Sequence, residues 1–472
     1  MKRTKIVATL GPSSLKEGVI EKLLIAGVNV FRINFSHGDA EENRNAILSV
    51  RNALDKTKRN ASILIDLQGP KLRIGNVEDN AFVKSGEILT FTNNICVGTK
   101  DRVYMTYSSF PSDVNVGETI LIDDGKLLMC VLSTNGKDEV VTKVIQGGAL
   151  KSNKGVNLPN TRVSLPCLTE KDLKDLDLAL DMDVDWIGLS FVRRAQDIKD
   201  LRKIIIRKKT QAGIVAKIEK PEAVSDIDAI LEEADAVMVA RGDLGVEVPM
   251  ESVPLIQKMI VSKAISAAKP VIVATQMMES MMESLTPSRA EVNDVSNAVI
   301  DGADAVMLSA ETSVGKYPVE VVEAMNKIVT AAEQSSIFKI KGRKPEAEDD
   351  RFMTNAICYQ AAKTANLIKA KSICALTFSG YSAQLISSFR PPSDIYVFTS
   401  KKKLLNKLCL FWGISCFYYD SMESTDQTFV EISKILKSLS LLENGDKIVQ
   451  LASMPIASRG ETNTMRVKQI GV

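Results

Sequence analysis

The chain has 472 residues, of which 25% are charged, 45% hydrophobic and only 5% aromatic; this excludes disorder and fibre and leaves room for two to four domains with a large core. Lys and Arg number 60 against 58 Asp and Glu, a net charge of +2, so no chain-wide field points to nucleic acid or a membrane surface as a partner, and anion binding has to be local. A single histidine, His37, excludes two-histidine metal sites and, away from that position, Ser-His-Asp chemistry.

The seven cysteines are scattered and never in C-x-x-C spacing, which predicts a reducing compartment, the cytosol, and no structural zinc. The opening MKRTKIVATLGPSS turns at Gly11-Pro12 before a signal-length apolar stretch develops. No apolar segment reaches the roughly 18 residues of a membrane span. Neither export nor membrane insertion is expected.

In chain order, short β-branched apolar runs lead into helical periodicity. The predicted strands are Lys5–Leu10, Val28–Phe35, Ser62–Leu67, Trp186–Val192, Gly213–Ile218, Ala236–Ala240, Pro270–Ala274 and Ala305–Leu308. Amphipathic segments such as Glu17–Ala26, Asp197–Lys208 and Val253–Ala268 alternate with them. The rhythm predicts a (β/α)8 TIM barrel, with an open doubly wound sheet as the alternative. Between Leu67 and Trp186 it gives way to alternating stretches, Ile88–Asn93, Thr119–Asp123, Leu127–Leu132 and Glu139–Val144, cut by Gly and Asn-Gly turns. This reads as an inserted all-β module, well placed to act as a lid over the catalytic rim. Beyond Ile340 the charged run KGRKPEAEDD has linker composition. Strands at Ser372–Thr377, Asp394–Phe398, Ser415–Tyr419 and Lys447–Leu451 then alternate with helical patterns. The expected domains are a catalytic barrel of residues 1–70 and 166–340, a β lid of 71–165 and a C-terminal α/β domain of 341–472.

The barrel strands end in polar residues at the same phase. Arg32, Asn34, Ser36 and His37 follow the second, Asp66 the third, Lys217 and Glu219 the fifth, Arg241 and Asp243 the sixth, Thr275 the seventh, and Ser309 and Glu311 the eighth. In a parallel barrel all carboxyl ends share one rim, so these side chains converge on one mouth. Glu219 and Asp243 are hard oxygen donors suited to Mg²⁺ or Mn²⁺. Arg32, Arg73, Lys217 and Arg241 supply positive charge for a phosphoryl group or a developing enolate. Each residue alone has a structural alternative, as a cap or an ion-pair partner; Arg241-Gly242-Asp243 is both a tight turn and a source of backbone N–H groups for an anion. Met277, Met278, Met281 and Met282 read as packing, whereas a hydroxyl at Thr275 can reach substrate.

The segments KIVATLGPSS, FRINFSHG, DLQGPKLR, NKGVNLP, KIEKPEA, MVARGDLGVE, ATQMMESM and MLSAETSVGKYP resemble the signature segments of the pyruvate kinase family, in that family's order. The likeness is strong up to about Ile340 and weaker in the last domain. It implies a barrel with a mobile β lid and a regulatory α/β domain, a homotetramer, and glycolytic transfer of the phosphoryl group of phosphoenolpyruvate to ADP, giving pyruvate and ATP. By the same resemblance Glu219 and Asp243 hold the divalent metal, and Lys217 stabilises charge on the group in transit. Arg32, Gly242, Asp243 and Thr275 contact substrate, while Asn34, Ser36, His37, Arg73 and the lid residue Lys154 contact nucleotide. Thr275 and Ser309 stand where the proton is relayed to the enolate carbon.

Many members of that family hold a monovalent cation with residues matching Asn34, Ser36, Asp66 and the carbonyl of Leu67, and carry a glutamate where this chain has Lys71. The segment around Lys71 resembles the potassium-independent branch, the ammonium supplying the missing charge; K⁺ is expected to be unnecessary. The alternative is a solvated surface lysine. In the last domain Thr377, Ser379, Gly380 and Ser382 precede a helix expected from about Ala383. They form either an anion nest for a sugar-phosphate or AMP effector or a plain N-cap. Tyr381 occupies the place where several activated relatives carry a basic residue, and Val314 stands where some carry lysine. Two rival readings remain open, another metal-dependent barrel enzyme acting on an enolpyruvate and a non-catalytic binding protein.

Overall fold

Eight short parallel strands close on themselves: Lys5–Thr9, Val30–Asn34, Ser62–Asp66, Trp186–Leu189, Gly213–Ile218, Ala236–Ala240, Val271–Ala274 and Ala305–Leu308. Each pairs with its sequence neighbour and the first pairs with the eighth, Lys5 opposite Ala305, so the predicted closed barrel replaces the open-sheet alternative. The computed structural model describes residues 2–335, 343–421, 424–456 and 461–471.

Alternation along the strands explains why they read as continuous apolar runs. Val7, Val30, Leu64, Val215, Met238 and Ile272 fill the interior. Their neighbours Ile6, Phe31, Ile63, Ile214, Val237 and Val273 pack among helix residues such as Leu23, Ile47 and Ile260. Both faces are covered, as parallel strands require. The first helix starts at Val19 rather than at the expected Glu17, because Gly18 sits at φ 72° in the left-handed region and breaks the helical path. The next helix, Ala40–Thr57, is held at its start by Asp39, whose carboxylate accepts from the N–H groups of Glu41 and Glu42.

The inserted module is a six-stranded sheet with strands at Ile88–Thr92, Arg102–Tyr104, Thr119–Ile122, Leu127–Thr134, Glu139–Gln146 and Val156–Asn157. Its own core is built on Phe91, Phe110, Ile120, Met129 and Val140. It leaves the barrel after the third strand, at the carboxyl-terminal rim.

The linker expected after Ile340 begins among residues 336–342, which lie outside the described residues. Beyond it, five strands form a sheet in the order Ile414–Tyr418, Asp394–Thr399, Ser372–Leu376, Lys447–Ala452, Thr464–Gln469. The last strand was not expected. It is an antiparallel edge strand, TMRVKQ, with no residue fully buried, so no apolar run announces it. The sheet packs under the amino-terminal end of the barrel, and Trp412, Phe411 and Leu410 form one apolar cluster with Trp186 and the barrel interior. Asp304 ties the junction, facing Arg390 at 2.8 Å and accepting from the Trp412 N–H at 3.1 Å.

Asp185, ahead of the fourth strand, is buried and accepts from the Ile63 N–H at 2.8 Å; burial pushes its pKa up to about 7. The folded state therefore holds this proton up to a higher pH than the unfolded chain, whose carboxyl titrates near ~3.9. Its contribution to stability is present at low pH and is lost as pH rises from about 4 to about 7. Asp185→Asn keeps an acceptor for Ile63 and is expected to melt above the parent, by a margin that opens across this window in melts from pH 4 to 8. A margin independent of pH would contradict the assignment.

Candidate active site

The carboxyl ends of the strands and the inner face of the lid enclose a cavity of about 1240 Å³. Arg32, Asn34, Ser36, Leu67, Lys71, Arg73, Lys154, Lys217, Glu219, Arg241, Gly242, Asp243 and Thr275 all line it. His37 is exposed on the rim outside this wall, and Ser309 also lies off it.

At its floor the charges alternate along a chain of direct contacts. Arg32 clasps Asp66 through Nε at 2.7 Å and Nη2 at 2.6 Å. The other oxygen of Asp66 stands 3.1 Å from Lys217 Nζ, which in turn lies 2.7 Å from Glu219 Oε1. Glu219 Oε2 accepts from the Phe191 N–H at 2.8 Å. The three central groups are nearly sealed from water, with Asp66 1%, Glu219 6% and Lys217 9% exposed. Burial opposes the ammonium of Lys217, but Asp66 and Glu219 outweigh it and hold its pKa above the ordinary lysine range. Asp66 is likewise resisted by burial, yet Lys217 and Arg32 hold its carboxyl below the usual range. Both groups are therefore ionised at neutral pH.

Asp243 differs: burial first, then the like charge of Glu219, push its carboxyl up to about 6. Two carboxylates facing the same space at mutual cost are what a bound dication relieves. Among the described residues no group of three or more His, Cys, Asp or Glu side chains could hold a metal ion unaided. The protein thus offers two hard oxygen donors, which suits a cation that takes its remaining ligands from substrate and water.

Around this floor the backbone is strained in places. Thr275 takes φ 69° and Gln276 φ 53°, a left-handed turn that is unusual for a β-branched residue and typical of functional loops. It aims the Thr275 hydroxyl back at the sixth-strand turn, where Oγ1 accepts from the Gly242 N–H at 2.8 Å. That amide, one of those expected to face an anion, is thus occupied by Thr275 here. Arg241 departs from its expected role as a substrate cation. Its guanidinium turns to Asp294 at 2.7 Å and to the carbonyl of Thr275 at 2.6 Å, so it braces the turn. In the lid Lys154 pairs with Asp123 at 2.8 Å, and Arg73 donates to the carbonyl of Asn153 at 2.7 Å.

Sequence reasoning passed over Ser190 and Phe191, which follow the fourth strand. Ser190 Oγ accepts from Lys217 at 2.7 Å and lies 2.7 Å from the carbonyl of Leu67, fixing the lysine tip. A serine directly after WIGL is the same phase signal as on the other strands and could have been read. Lys220, Glu247 and Asn157 were also missed; their connection crosses three distant segments and leaves no local trace.

The family model described as pyruvate kinase, barrel domain, matches residues 1–322, and that for the pyruvate kinase alpha/beta domain matches residues 355–468. A pyruvate kinase of Mycobacterium tuberculosis is 41% identical over 471 residues, covering 100% of this chain and 99% of the relative. One of Corynebacterium glutamicum is 43% identical, covering 100% and 98%. One of Geobacillus stearothermophilus is 41% identical over 99% of this chain and 80% of its own length. Among solved structures, a pyruvate kinase from Cryptosporidium parvum superimposes with a TM-score of 0.93 at 34% identity, covering 99% of this chain and 96% of that one. With matches spanning both ends of the chain and a barrel mouth of two carboxylates, an ammonium and a β lid, this chain belongs to the pyruvate kinase family.

Proposed function

We propose that this chain transfers the phosphoryl group of phosphoenolpyruvate to ADP, giving pyruvate and ATP, at the mouth between barrel and lid. The observation that carries the reading is the buried run Arg32–Asp66–Lys217–Glu219, with Asp243 lining the same cavity and within electrostatic reach of it. Two cations stand against three carboxylates, so the floor accepts one dication and then a polyanionic substrate. Glu219 and Asp243 are the residues that would hold Mg²⁺ or Mn²⁺. When bound, such an ion supplies Lewis acidity to a phosphoryl oxygen and neutralises developing charge.

Lys217, fixed by Ser190, Asp66 and Glu219, offers a permanent ammonium to the group in transit, and Arg32 receives phosphate oxygens. Asp66 holds both cations in place. Gly242, Asp243 and Thr275 flank the carboxylate of the substrate. Asn34, Ser36, His37 and Arg73 take the nucleotide; Lys154 and Arg73 approach from the lid, whose position over the mouth excludes water that would compete for the phosphoryl group. The product enolate takes its proton on carbon, with Thr275, which lines the cavity, as the hydroxyl of that relay rather than Ser309, which lies off it. The domain limits given above, a homotetramer and a cytosolic setting complete the reading; among the described residues no helix is long and apolar enough to cross a membrane.

Donors of the chain already reach three of the four oxygens at the monovalent-cation positions. Asn34 Oδ1 accepts from the Ser36 N–H at 3.1 Å, the Leu67 carbonyl lies 2.7 Å from Ser190 Oγ, and Asp66 is shared by Arg32 and Lys217. Lys71 lines the same cavity, its pKa lowered by partial burial, then by Arg73 and Lys217. These contacts support a site that needs no K⁺. A coupled assay of pyruvate formed from phosphoenolpyruvate, ADP and Mg²⁺ tests the activity. Run in sodium-free tetramethylammonium buffer, it is expected to give the same rate with and without KCl. Strong activation by K⁺ would overturn the Lys71 reading, and no turnover in either buffer would overturn the function.

For regulation, we propose a phosphorylated effector at the loop of Thr377, Ser379, Gly380 and Ser382. Ser379, Gly380 and Tyr381 line a separate cavity of about 480 Å³ between the last domain and the barrel, with Lys269 and Arg351 in its wall. Arg351 lies 4.6 Å over the ring of Tyr381, supplying the charge that Tyr381 lacks. The helix begins at Tyr381, two residues before the expected Ala383, after Gly380 at φ 91°. Thr377 Oγ1 already accepts from the Gly380 N–H at 2.9 Å, which narrows the nest and leaves recognition to the cations. Saturation curves for phosphoenolpyruvate are expected to shift left with a phosphosugar or AMP; superimposable curves would favour the plain cap.

A further inference from the structure

A second buried ion pair lies one step behind the metal-binding carboxylates and reaches into the lid. Glu247 is the last residue of the short helix Arg241–Glu247 and lies four residues beyond Asp243, on the same helix face. Its Oε1 receives two donors: Lys220 Nζ at 2.5 Å and Asn157 Nδ2 at 2.8 Å. Asn157 belongs to the lid strand Val156–Asn157. Lys220 directly follows Glu219, and its ammonium stands 4.4 Å from the ring centroid of Phe191, whose N–H holds Glu219 Oε2. Glu247 is 5% and Lys220 4% exposed, yet Glu247 Oε2 is buried with no hydrogen-bond partner among the described residues. Asn157, Phe191, Glu219, Lys220, Asp243 and Glu247 all line the cavity.

We propose that Glu247 is a positioning residue that couples the lid to the metal site. The inference rests on the reading of Glu219 and Asp243 as metal ligands. Glu247 governs one carboxylate through its own helix and the other through Lys220 and Phe191, so it sets the spacing between them. Through Asn157 the same side chain registers where the lid stands. Both donors crowd onto one oxygen while the other stays buried and unfilled, a costly arrangement for a carboxylate. The joint is relaxed by small shifts of the lid amide across the carboxylate, and those shifts pass to the groups that hold the dication. The lid is thereby linked to the strength of metal binding as well as to the exclusion of water.

Kinetics with Mg²⁺ and direct titration with Mn²⁺ of full-length Asn157→Ala, Asn157→Leu, Glu247→Gln and the Asn157→Ala/Glu247→Gln double variant test this. Asn157→Ala and Asn157→Leu are expected to lower kcat, raise the Mg²⁺ activation constant and weaken direct Mn²⁺ binding by about 10-fold each, the size typical of groups that orient metal ligands. The KM for phosphoenolpyruvate and the melting temperature should stay close to the parent's. Asn157→Leu fills the same space without charge but cannot donate, so a space-filling role would leave it parent-like, which overturns the proposal. The double variant is expected to lose no more than Glu247→Gln alone, because the two residues act as one joint; additive losses would also overturn it. Because Glu247→Gln removes one partner of a buried pair and can unfold the chain, the two single Asn157 variants decide by themselves if it does. Glu219→Gln, run alongside, separates the readings. If it keeps the parent's Mg²⁺ dependence, the metal assignment fails; if it loses that dependence while Asn157→Ala behaves as the parent, only the coupling fails.

Discussion

Lys217→Met is expected to lower kcat by about 10³-fold while leaving a folded protein, as found when a group aimed at transition-state charge is removed from a water-excluded site. Methionine fills the volume of the lysine stem but brings no charge within reach of the group in transit. Lys217→Arg should not restore activity: the pocket formed by Ser190 Oγ at 2.7 Å, Glu219 at 2.7 Å and Asp66 at 3.1 Å fits a compact ammonium, and a planar guanidinium presents its donors in another geometry. The methionine variant also leaves Asp66 with Arg32 and a 3.4 Å contact from the Ser190 hydroxyl, and Glu219 with one backbone donor. Breaking a buried ion pair from one side costs about 3–5 kcal/mol, so a lower melting temperature should accompany the loss of turnover. The coupled assay and a thermal melt on the same preparation measure both. Turnover equal to the parent's would contradict the role given to Lys217.

Glu219→Gln should cut turnover by on the order of 10²-fold or more at saturating Mg²⁺, the equivalent of several kcal/mol of electrostatic stabilisation. The substitution keeps an acceptor for the Phe191 N–H, so the backbone stays in place and the loss reports the charge. The same change removes the like charge that, after burial, holds the carboxyl of Asp243 up near 6. Asp243 then ionises more readily, yet one carboxylate cannot replace two as a chelating pair. Raising Mg²⁺ should recover only part of the rate. Full recovery at high Mg²⁺ would show that Glu219 tunes affinity alone.

The barrel was legible in the sequence because closure demands strands that are apolar on both faces and end in a turn, and each such run stands out from its surroundings. The convergence of Arg32, Lys217, Glu219 and Asp243 was legible for the same reason: strand phase decides which end of the barrel a residue occupies. Phase does not decide where a side chain points once there. Arg241 sits at the rim in the right phase, but Asp294, from a helix fifty residues on, draws it into the turn. The left-handed turn at Thr275 is equally hidden, since no glycine marks it. Asn157, Lys220 and Glu247 look like ordinary surface residues of a loop and two helix ends, and only the folded chain brings them together in a buried joint. The edge strand Thr464–Gln469 escaped because it buries too little to need an apolar face.

In the proposed metal site Glu219 and Asp243 together grip one divalent cation beside Lys217. Titration of the nucleotide-free protein with Mn²⁺, followed by electron paramagnetic resonance, measures this binding without turnover. One tight ion per chain is expected in the parent and its loss in both Glu219→Gln and Asp243→Asn, with Lys217→Met still binding. Parent-like Mn²⁺ binding by either carboxamide variant would contradict it.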